Sequence, residues 1–130
     1  MPLDFDTDIN IDLHQISSND VNKNVYAMLI EGEEVVDAYK TVRDQLVFTN
    51  KRMISVDVKG ITGKKQFLVS MPYKMIQYFS IQTPGFGEVI SDSEMDLHFS
   101  NGHTGHFEFK GRSKILEIGK MISKYCLELR

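Results

Sequence analysis

Basic side chains stand at several predicted turns, where they could converge on an anion: Arg43, Lys51, Arg52, Lys64 and Lys65. Guanidinium and ammonium groups hold phosphate or carboxylate by charge-assisted hydrogen bonds when several of them meet. The turns alternate along a predicted meander, so Arg43 need not share an end of the sheet with Lys51 and Arg52. We therefore predict an anion-binding patch, with separately solvated turn charges as the alternative.

Three histidines carry the other candidate chemistry, which is metal binding: His98, His103 and His106. A three-residue hairpin loop, Asn101–His103, would place His98 opposite His106 and Asp96 opposite Glu108. Zinc accepts imidazole and carboxylate ligands at about 2.0 to 2.2 Å, but a surface hairpin rarely preorganises three of them. We therefore expect exposed histidines, no metal site and no cofactor.

The sequence contains no pattern typical of a catalytic or nucleotide-binding site. The segment GITGKK, residues 60–65, has two residues between its glycines where a phosphate-binding loop needs four, and no Ser or Thr follows the lysine. Cys126 lies among apolar helix positions, which predicts a buried and unreactive thiol. We expect no enzymatic activity, and the net charge of −3 argues against nucleic acid as a partner.

Charge is unevenly distributed along the chain. Residues 1–34 hold eight acidic residues and one basic residue, whereas residues 40–74 hold eight basic and two acidic residues. Such polarity suits self-association, docking on an acidic membrane surface, or solubility alone. The acidic N-terminal residues are an internal candidate for the partner of the basic turns.

Cysteine usage and hydropathy indicate the compartment. Cys126 is the single cysteine, so no internal disulfide can form. The longest uninterrupted apolar run, Val25–Ile30, is far shorter than the roughly 20 residues that span a bilayer. The N-terminus, MPLDFDTD, lacks the basic and apolar regions of a secretory signal, so we expect a cytoplasmic protein.

The elements that position these side chains are mostly short strands. Apolar and polar alternation between turn residues predicts seven of them: Val35–Arg43, Gln45–Thr49, Met53–Lys59, Gln66–Met71, Lys74–Thr83, Glu94–Ser100 and Thr104–Phe109. In Met53–Lys59 the alternation places Ile54 and Val56 inward and Ser55 outward. One helix is predicted at Ser18–Ile30 and another from Ser113, with an apolar stripe from Ile115 to Leu129.

The N-terminal segment Leu3–Leu13 alternates like a strand that adds to an open sheet edge. A flexible acidic tail is the alternative. The strand count, together with the C-terminal helix, indicates a mainly β domain, α+β by count, built as a small antiparallel barrel or sandwich.

The run Tyr39–Thr83 carries a family resemblance, chiefly in RDQLVFTNKRMI, VKGITGKK and SMPYKMI. It resembles the bacterial pleckstrin-homology-like (PH-like) family, long catalogued as a domain of unknown function, over about Glu31 to Leu129. The resemblance implies a seven-stranded, bent antiparallel barrel capped by a C-terminal α-helix. It also implies a self-associating module, often ring-shaped, without established enzymatic activity. The inositol-phospholipid signature of better-known pleckstrin homology domains is not clearly shared.

These observations lead to one expectation for organisation and function. We expect an acidic N-terminal arm over residues 1–18 and one PH-like domain over residues 19–130. The expected function is a non-enzymatic assembly or protein-binding module that forms a homo-oligomer, in which the arm adds to a sheet edge. The alternative is a peripheral protein that binds an anionic lipid surface, or another anionic ligand, through the basic turns.

Overall fold

The computed structural model describes residues 9–83, 92–110 and 114–128 of the 130-residue chain. Residues 14–72 form one compact unit, and the described residues up to Leu13 form another with those from Tyr73 onward. Several sequence predictions lie outside the described residues: the arm before Ile9, most of the loop between the strands ending at Thr83 and starting at Glu94, the Ser113 cap and the end of the stripe at Leu129.

Residues 14–72 build an antiparallel sheet in which neighbouring strands follow one another along the chain. Four strands are joined by short turns, and the end of β1 pairs with the first of them. Their bounds are Ile9–Gln15 for β1, Val35–Lys40 for β2, Gln45–Thr49 for β3, Arg52–Lys59 for β4 and Lys65–Pro72 for β5. These bounds confirm the four predicted strands of this region.

The first half of β4 is buried on both of its faces. Ile54 and Val56 pack with Val21 and Val25 of the segment that precedes β2. Ser55 points to the other face and is also buried. The prediction that Ser55 faces solvent is therefore wrong, because a strand covered on both faces loses the polar alternation of a half-exposed one.

The helix predicted over Ser18–Ile30 is interrupted at Asn22. One 3-10 turn, Ser18–Asp20, precedes the shorter helix α1 (Lys23–Met28). The Asn22 side chain accepts a hydrogen bond from the Asn24 backbone N–H at 2.8 Å, which caps α1. The Asn22 backbone N–H donates to Gln45 at 2.8 Å, so the start of the helix is also fixed to β3.

The other unit contains a sheet in the order β1, β8, β7, β6 and a C-terminal helix. β6 (Ile76–Gln82), β7 (Ser93–Phe99) and β8 (Thr104–Phe109) are antiparallel neighbours, while the first part of β1 pairs in parallel with β8. The helix α2 (Ile115–Glu128) confirms the predicted C-terminal helix. Its buried residues are Ile115, Ile118, Gly119, Ile122 and Cys126. All of them except Gly119 belong to the predicted apolar stripe.

The β7–β8 hairpin has a register different from the predicted one. Its loop is Ser100–Gly102 rather than Asn101–His103. Gly102 has a φ of 91°. A three-residue hairpin loop ends in a left-handed residue, and glycine adopts that conformation without the steric cost that a histidine would bear. The predicted pairing of His98 with His106 is therefore wrong.

β1 pairs with two different strands through different parts of its length. Residues 9–13 pair with β8, and His14 and Gln15 pair with β2. Between them Asp12 has a φ of 59° within an irregular register, a conformation that Asp tolerates better than most residues. The strand interpretation of the N-terminal segment is confirmed for residues 9–13.

In the sheet order of the described residues, the two terminal strands are β5 and β6. Among the described residues, β5 pairs with β4 alone and β6 pairs with β7 alone. The described residues contain eight strands where the resemblance implied seven, and the additional strand is β1. The mainly β architecture with a C-terminal helix is confirmed.

Candidate functional site

Three of the predicted anion-patch residues lie together at one end of β3. The Arg43 Nη2 group, in the turn before β3, donates to the Gly60 carbonyl at 2.7 Å and so joins this turn to the one between β4 and β5. Lys64 ends that second turn, Lys65 begins β5, and both are exposed. We call Arg43, Lys64 and Lys65 the basic tip. Lys51 and Arg52 follow β3 and lie at its other end, so the structure divides the predicted patch.

The basic tip also presents aliphatic side chains to solvent. Val42, next to Arg43, is 96% exposed, and Ile61, in the turn between β4 and β5, is 104% exposed. Aliphatic groups flanked by cations are typical of surfaces that meet another molecule or a membrane. Sequence reasoning missed both residues because a pattern of residue types does not show how far a turn projects.

Two carboxylates lie close to the basic tip. Burial raises the pKa of Asp44, the hydrogen bond from the Val58 N–H opposes this, and the neighbouring Asp57 adds to the rise, so that the pKa lies above its ordinary value. Asp57 also forms an ion pair with Lys59 at 2.8 Å. The charge of Lys59 is thus compensated locally, whereas in the described part of the chain no residue of the basic tip forms an ion pair.

Arg52 is held by a buried carboxylate. Its Nε and Nη2 groups donate to Glu33 at 2.9 and 3.0 Å. Further hydrogen bonds run to the Ser70 hydroxyl at 3.0 Å and the Met28 carbonyl at 2.9 Å. The Glu33 side chain has 0% exposure and the Arg52 side chain 18%. This bidentate pair fixes the end of α1 and the segment before β2 to the turn between β3 and β4.

Thr49 completes the network around Glu33. Its hydroxyl donates to Glu33 at 2.6 Å and accepts from the Arg52 backbone N–H at 2.9 Å. Burial raises the pKa of Glu33, but hydrogen bonds from Arg52, Thr49 and the Ile30 N–H outweigh that effect and hold the pKa below its ordinary value. Sequence reasoning missed Glu33 because it stands in the acidic stretch EGEE, which reads as solvated.

The other unit brings four polar side chains together on one face of the β7–β8 hairpin. We call Glu94, Asp96, His106 and Glu108 the carboxylate–histidine cluster. The His106 Nδ1 atom lies 2.6 Å from Asp96 Oδ1, and Nε2 lies 3.1 Å from Glu108 Oε2 and 3.4 Å from Glu94 Oε1. Burial lowers the pKa of His106, but the hydrogen bonds and charges of Asp96 and Glu108 outweigh it and raise the pKa above its ordinary value.

Of the three histidines singled out in the sequence, His106 alone belongs to this cluster. His98 stacks on Tyr78 with ring centroids 4.1 Å apart, and His103 is exposed beside the hairpin loop. Glu94 was missed because the assumed register was shifted by two residues. The observed register places Glu94 directly opposite Glu108.

A shallow cleft of about 260 Å³ lies between β6 and α2. Tyr78 and Leu127 line it and are 58% and 71% exposed. Cys126 also borders the cleft, but its thiol is buried and donates to the Tyr73 carbonyl at 3.4 Å. The cleft therefore offers apolar contact surface beside the open edge of β6.

A family model described as Bacterial PH domain matches residues 4–126. The chain belongs to the bacterial PH domain family. This confirms the resemblance and extends it, because the match includes β1 whereas the sequence motifs supported it only from about Glu31. In the described ranges of this PH domain, no helix is both long and apolar enough to cross a membrane.

Known relatives cover most of this PH domain. Uncharacterized protein YjqA of Bacillus subtilis (strain 168) is 40% identical over 114 residues, which are 86% of this chain and 90% of that protein. The crystal structure of a DUF1696 family protein with a pleckstrin-homology domain from Shewanella loihica PV-4 aligns with a TM-score of 0.77 and 30% identity over 91% of this chain and 100% of that one. A pleckstrin homology domain from Shewanella amazonensis SB2B has a TM-score of 0.63 and 38% identity over 80% and 93%.

The substitution Glu33→Gln tests the buried pair with Arg52. We expect it to lower the free energy of unfolding by about 3 kcal/mol at neutral pH, because the partly buried Arg52 guanidinium loses its charged partner. The folded-state pKa of Glu33 lies below the ordinary value of 4.5, so the contribution of the pair is full above that pH and is lost as the pH falls through the folded-state pKa.

Urea unfolding from about pH 7 to pH 3 measures both effects. Wild type should lose stability more steeply with acid than Glu33→Gln. The control is Glu34→Gln, which changes the exposed neighbouring carboxylate and should leave stability and its pH dependence unaltered. Equal stability of wild type and Glu33→Gln would contradict the assigned role of the pair.

Proposed function

We propose that this PH domain is a non-enzymatic assembly module that self-associates in the cytoplasm through its open sheet edges. The observation that carries the proposal is the absence of charge from both edges: residues 66–71 of β5 read QFLVSM and residues 76–82 of β6 read IQYFSIQ. Edge strands of monomeric proteins are usually blunted by charged residues, proline or bulges. β5 has Lys65 and Pro72 only at its ends, and β6 is irregular only near its start.

Two different open edges on one chain favour a head-to-tail contact. When β5 of one copy pairs with β6 of the next, every copy satisfies both edges through one type of interface. Such a heterologous contact closes into a ring if the rotation between copies allows it. A strand of another protein could occupy the same edge by the same hydrogen bonding.

The surface beside β6 supports the same proposal. Tyr78 lies on β6 and Leu127 lies on the adjacent part of α2, and both line the apolar cleft described above. A neighbouring strand on β6 would remove part of this apolar surface from water, which stabilises association by about 25 cal/mol for each Å² buried. Backbone pairing and apolar burial would therefore act together.

Single charges on the two edges test this arrangement. Ser70→Glu introduces a negative charge on β5 beside Arg52, whose Nη1 donates to the Ser70 hydroxyl in the wild type. Ser80→Lys introduces a positive charge on β6 opposite Asp96. Each new charge has an opposite charge nearby in its own chain, so the fold should be retained. We expect each variant to raise the dissociation constant of the oligomer at least tenfold, measured by light scattering over a dilution series.

Mixing the two variants distinguishes the kinds of contact. A head-to-tail contact predicts that mixing restores association, since one variant retains β6 and the other retains β5. A variant that still forms dimers by itself would instead indicate a symmetric contact through its unaltered edge. Asn19→Glu, an exposed change in the 3-10 turn, is the control and should leave assembly unaltered. A wild-type protein that remains monomeric at high micromolar concentration would contradict the assembly proposal.

A second candidate function is docking on an anionic lipid surface. It is favoured by the basic tip, where Arg43, Lys64 and Lys65 accompany the fully exposed Val42 and Ile61. Cations near an acidic bilayer each contribute about 1 kcal/mol, and aliphatic side chains can enter the headgroup region. Apart from Lys65 at the start of β5, this function uses turn residues and no residue of the edge strands.

Vesicle co-sedimentation tests the lipid function. The double change Lys64→Glu and Lys65→Glu should weaken binding to vesicles rich in anionic lipid at least tenfold, because two attractive charges become repulsive. Lys51→Glu, at the other end of β3, is the matched control and should have little effect. Binding that is absent, insensitive to salt, or equally reduced by the control would rule out the basic tip as a lipid site.

A further inference from the structure

The carboxylate–histidine cluster takes no part in the assembly or lipid functions. Its members occupy two adjacent strands, with Glu94 directly opposite Glu108 and Asp96 directly opposite His106. The other face of these strands is fully buried, as the 0% exposure of Met95, Leu97 and Phe107 shows. The ladder and the core therefore fix the backbone that carries the four side chains, and with it their positions on one face.

The cluster has more negative charge than its own groups can compensate. Two glutamates lie directly opposite each other, an arrangement of like charges that destabilises a strand pair. A proton on His106 would supply one positive charge against three carboxylates. On β6 the residues opposite Glu94 and Asp96 are Gln82 and Ser80, which are uncharged. Within the described ranges, no Lys or Arg forms an ion pair with a member of the cluster.

We propose that the cluster binds one divalent transition-metal ion, with zinc as the best fit. The ligands are His106 Nε2 and one carboxylate oxygen each from Glu94 and Glu108, and these atoms lie within 4.8 Å of one another. Ligands placed 2.0 to 2.2 Å from a tetrahedral ion are separated by about 3.3 to 3.6 Å. The distances of 3.4 and 3.1 Å from Nε2 to the two carboxylates are close to that spacing.

Asp96 is a positioning residue for this site. Its carboxylate lies 2.6 Å from His106 Nδ1, so it accepts the Nδ1–H hydrogen bond and leaves Nε2 directed at Glu94 and Glu108. Metal-binding histidines usually donate their second ring N–H to a carboxylate in this way. The fourth position would be taken by water, because the side chains of the cluster are 29% to 44% exposed.

The donor set selects among cations. One imidazole with two carboxylates suits zinc, and also cobalt or manganese at lower affinity. Magnesium requires nearly octahedral oxygen coordination and keeps most of its waters, so an imidazole ligand does not favour it. The site is therefore expected to prefer zinc to magnesium.

Titration calorimetry with zinc chloride tests the proposal on the full-length, tag-free chain after chelator treatment. We expect one ion per chain. His106→Ala, Glu94→Gln and Glu108→Gln should each weaken binding at least tenfold. The two glutamine variants reduce repulsion between like charges, so they keep the test valid if the alanine variant fails to fold. His103→Ala, on the same hairpin but outside the cluster, is the control and should bind zinc like wild type.

Two substitutions of Asp96 distinguish a role in positioning the metal ligand His106 from a general contribution to stability. Asp96→Ala should weaken zinc binding about 10- to 100-fold, whereas Asp96→Asn keeps an acceptor for the Nδ1–H and should restore most of the affinity. The visible absorption of cobalt-loaded protein should show a tetrahedral site that His106→Ala abolishes. Absence of saturable zinc binding would overturn the proposal, as would binding of equal strength in wild type and in both glutamine variants.

Discussion

Among the described residues, the backbone hydrogen bonds of β1 cover one edge of β8 and one edge of β2, so that the sheet order ends at β5 and at β6. Residues 9–13 pair in parallel with β8, and His14 and Gln15 pair antiparallel with β2. Each unit thereby has one of its edges occupied by the same strand. Because the N–H and C=O groups along the free side of an edge strand can pair with another strand, β5 and β6 are where further pairing is expected. The assembly proposal follows from this hydrogen-bonding constraint.

Similar basic residues at turns have different physical surroundings in this PH domain. Arg52 donates to Glu33, Ser70 and Met28, so its guanidinium holds three chain segments together. Arg43 bridges two turns through a backbone carbonyl and remains exposed with Lys64 and Lys65. A cation whose hydrogen bonds are satisfied within the protein is a poor candidate for binding an external anion, whereas one in the basic tip retains free donors. The proposed lipid function therefore rests on the basic tip.

The features that could be predicted from the sequence are those set by local patterns. Strands β2 to β5 follow from alternation between turn residues, and α2 follows from its apolar stripe. Features that depend on distant contacts could not be predicted. Arg52 is fixed by Glu33, 19 positions earlier in the chain, and Ser55 is buried because both faces of β4 are covered. Neither contact has a signature in the neighbouring residues.

The carboxylate–histidine cluster shows how one backbone conformation decides a candidate site. The left-handed Gly102 sets the hairpin loop and with it the register of β7 and β8. The predicted register differs from the observed one by an even number of residues, so the side chains that face the core were assigned correctly. The shift of two residues nevertheless replaced His98 by Asp96 opposite His106 and brought Glu94 into the cluster. Register had to be observed because both alternatives bury the same apolar residues.

Amide hydrogen exchange as a function of protein concentration would test the proposed use of the open edges most directly. We predict that edge-facing amides of β5 and β6 exchange slowly in concentrated solution and rapidly after dilution to the monomer, because their protection comes from a second copy. Amides of β3, which pairs on both sides within the chain, should remain protected throughout. Rapid exchange of the β5 and β6 edges at every concentration would contradict self-association through these strands.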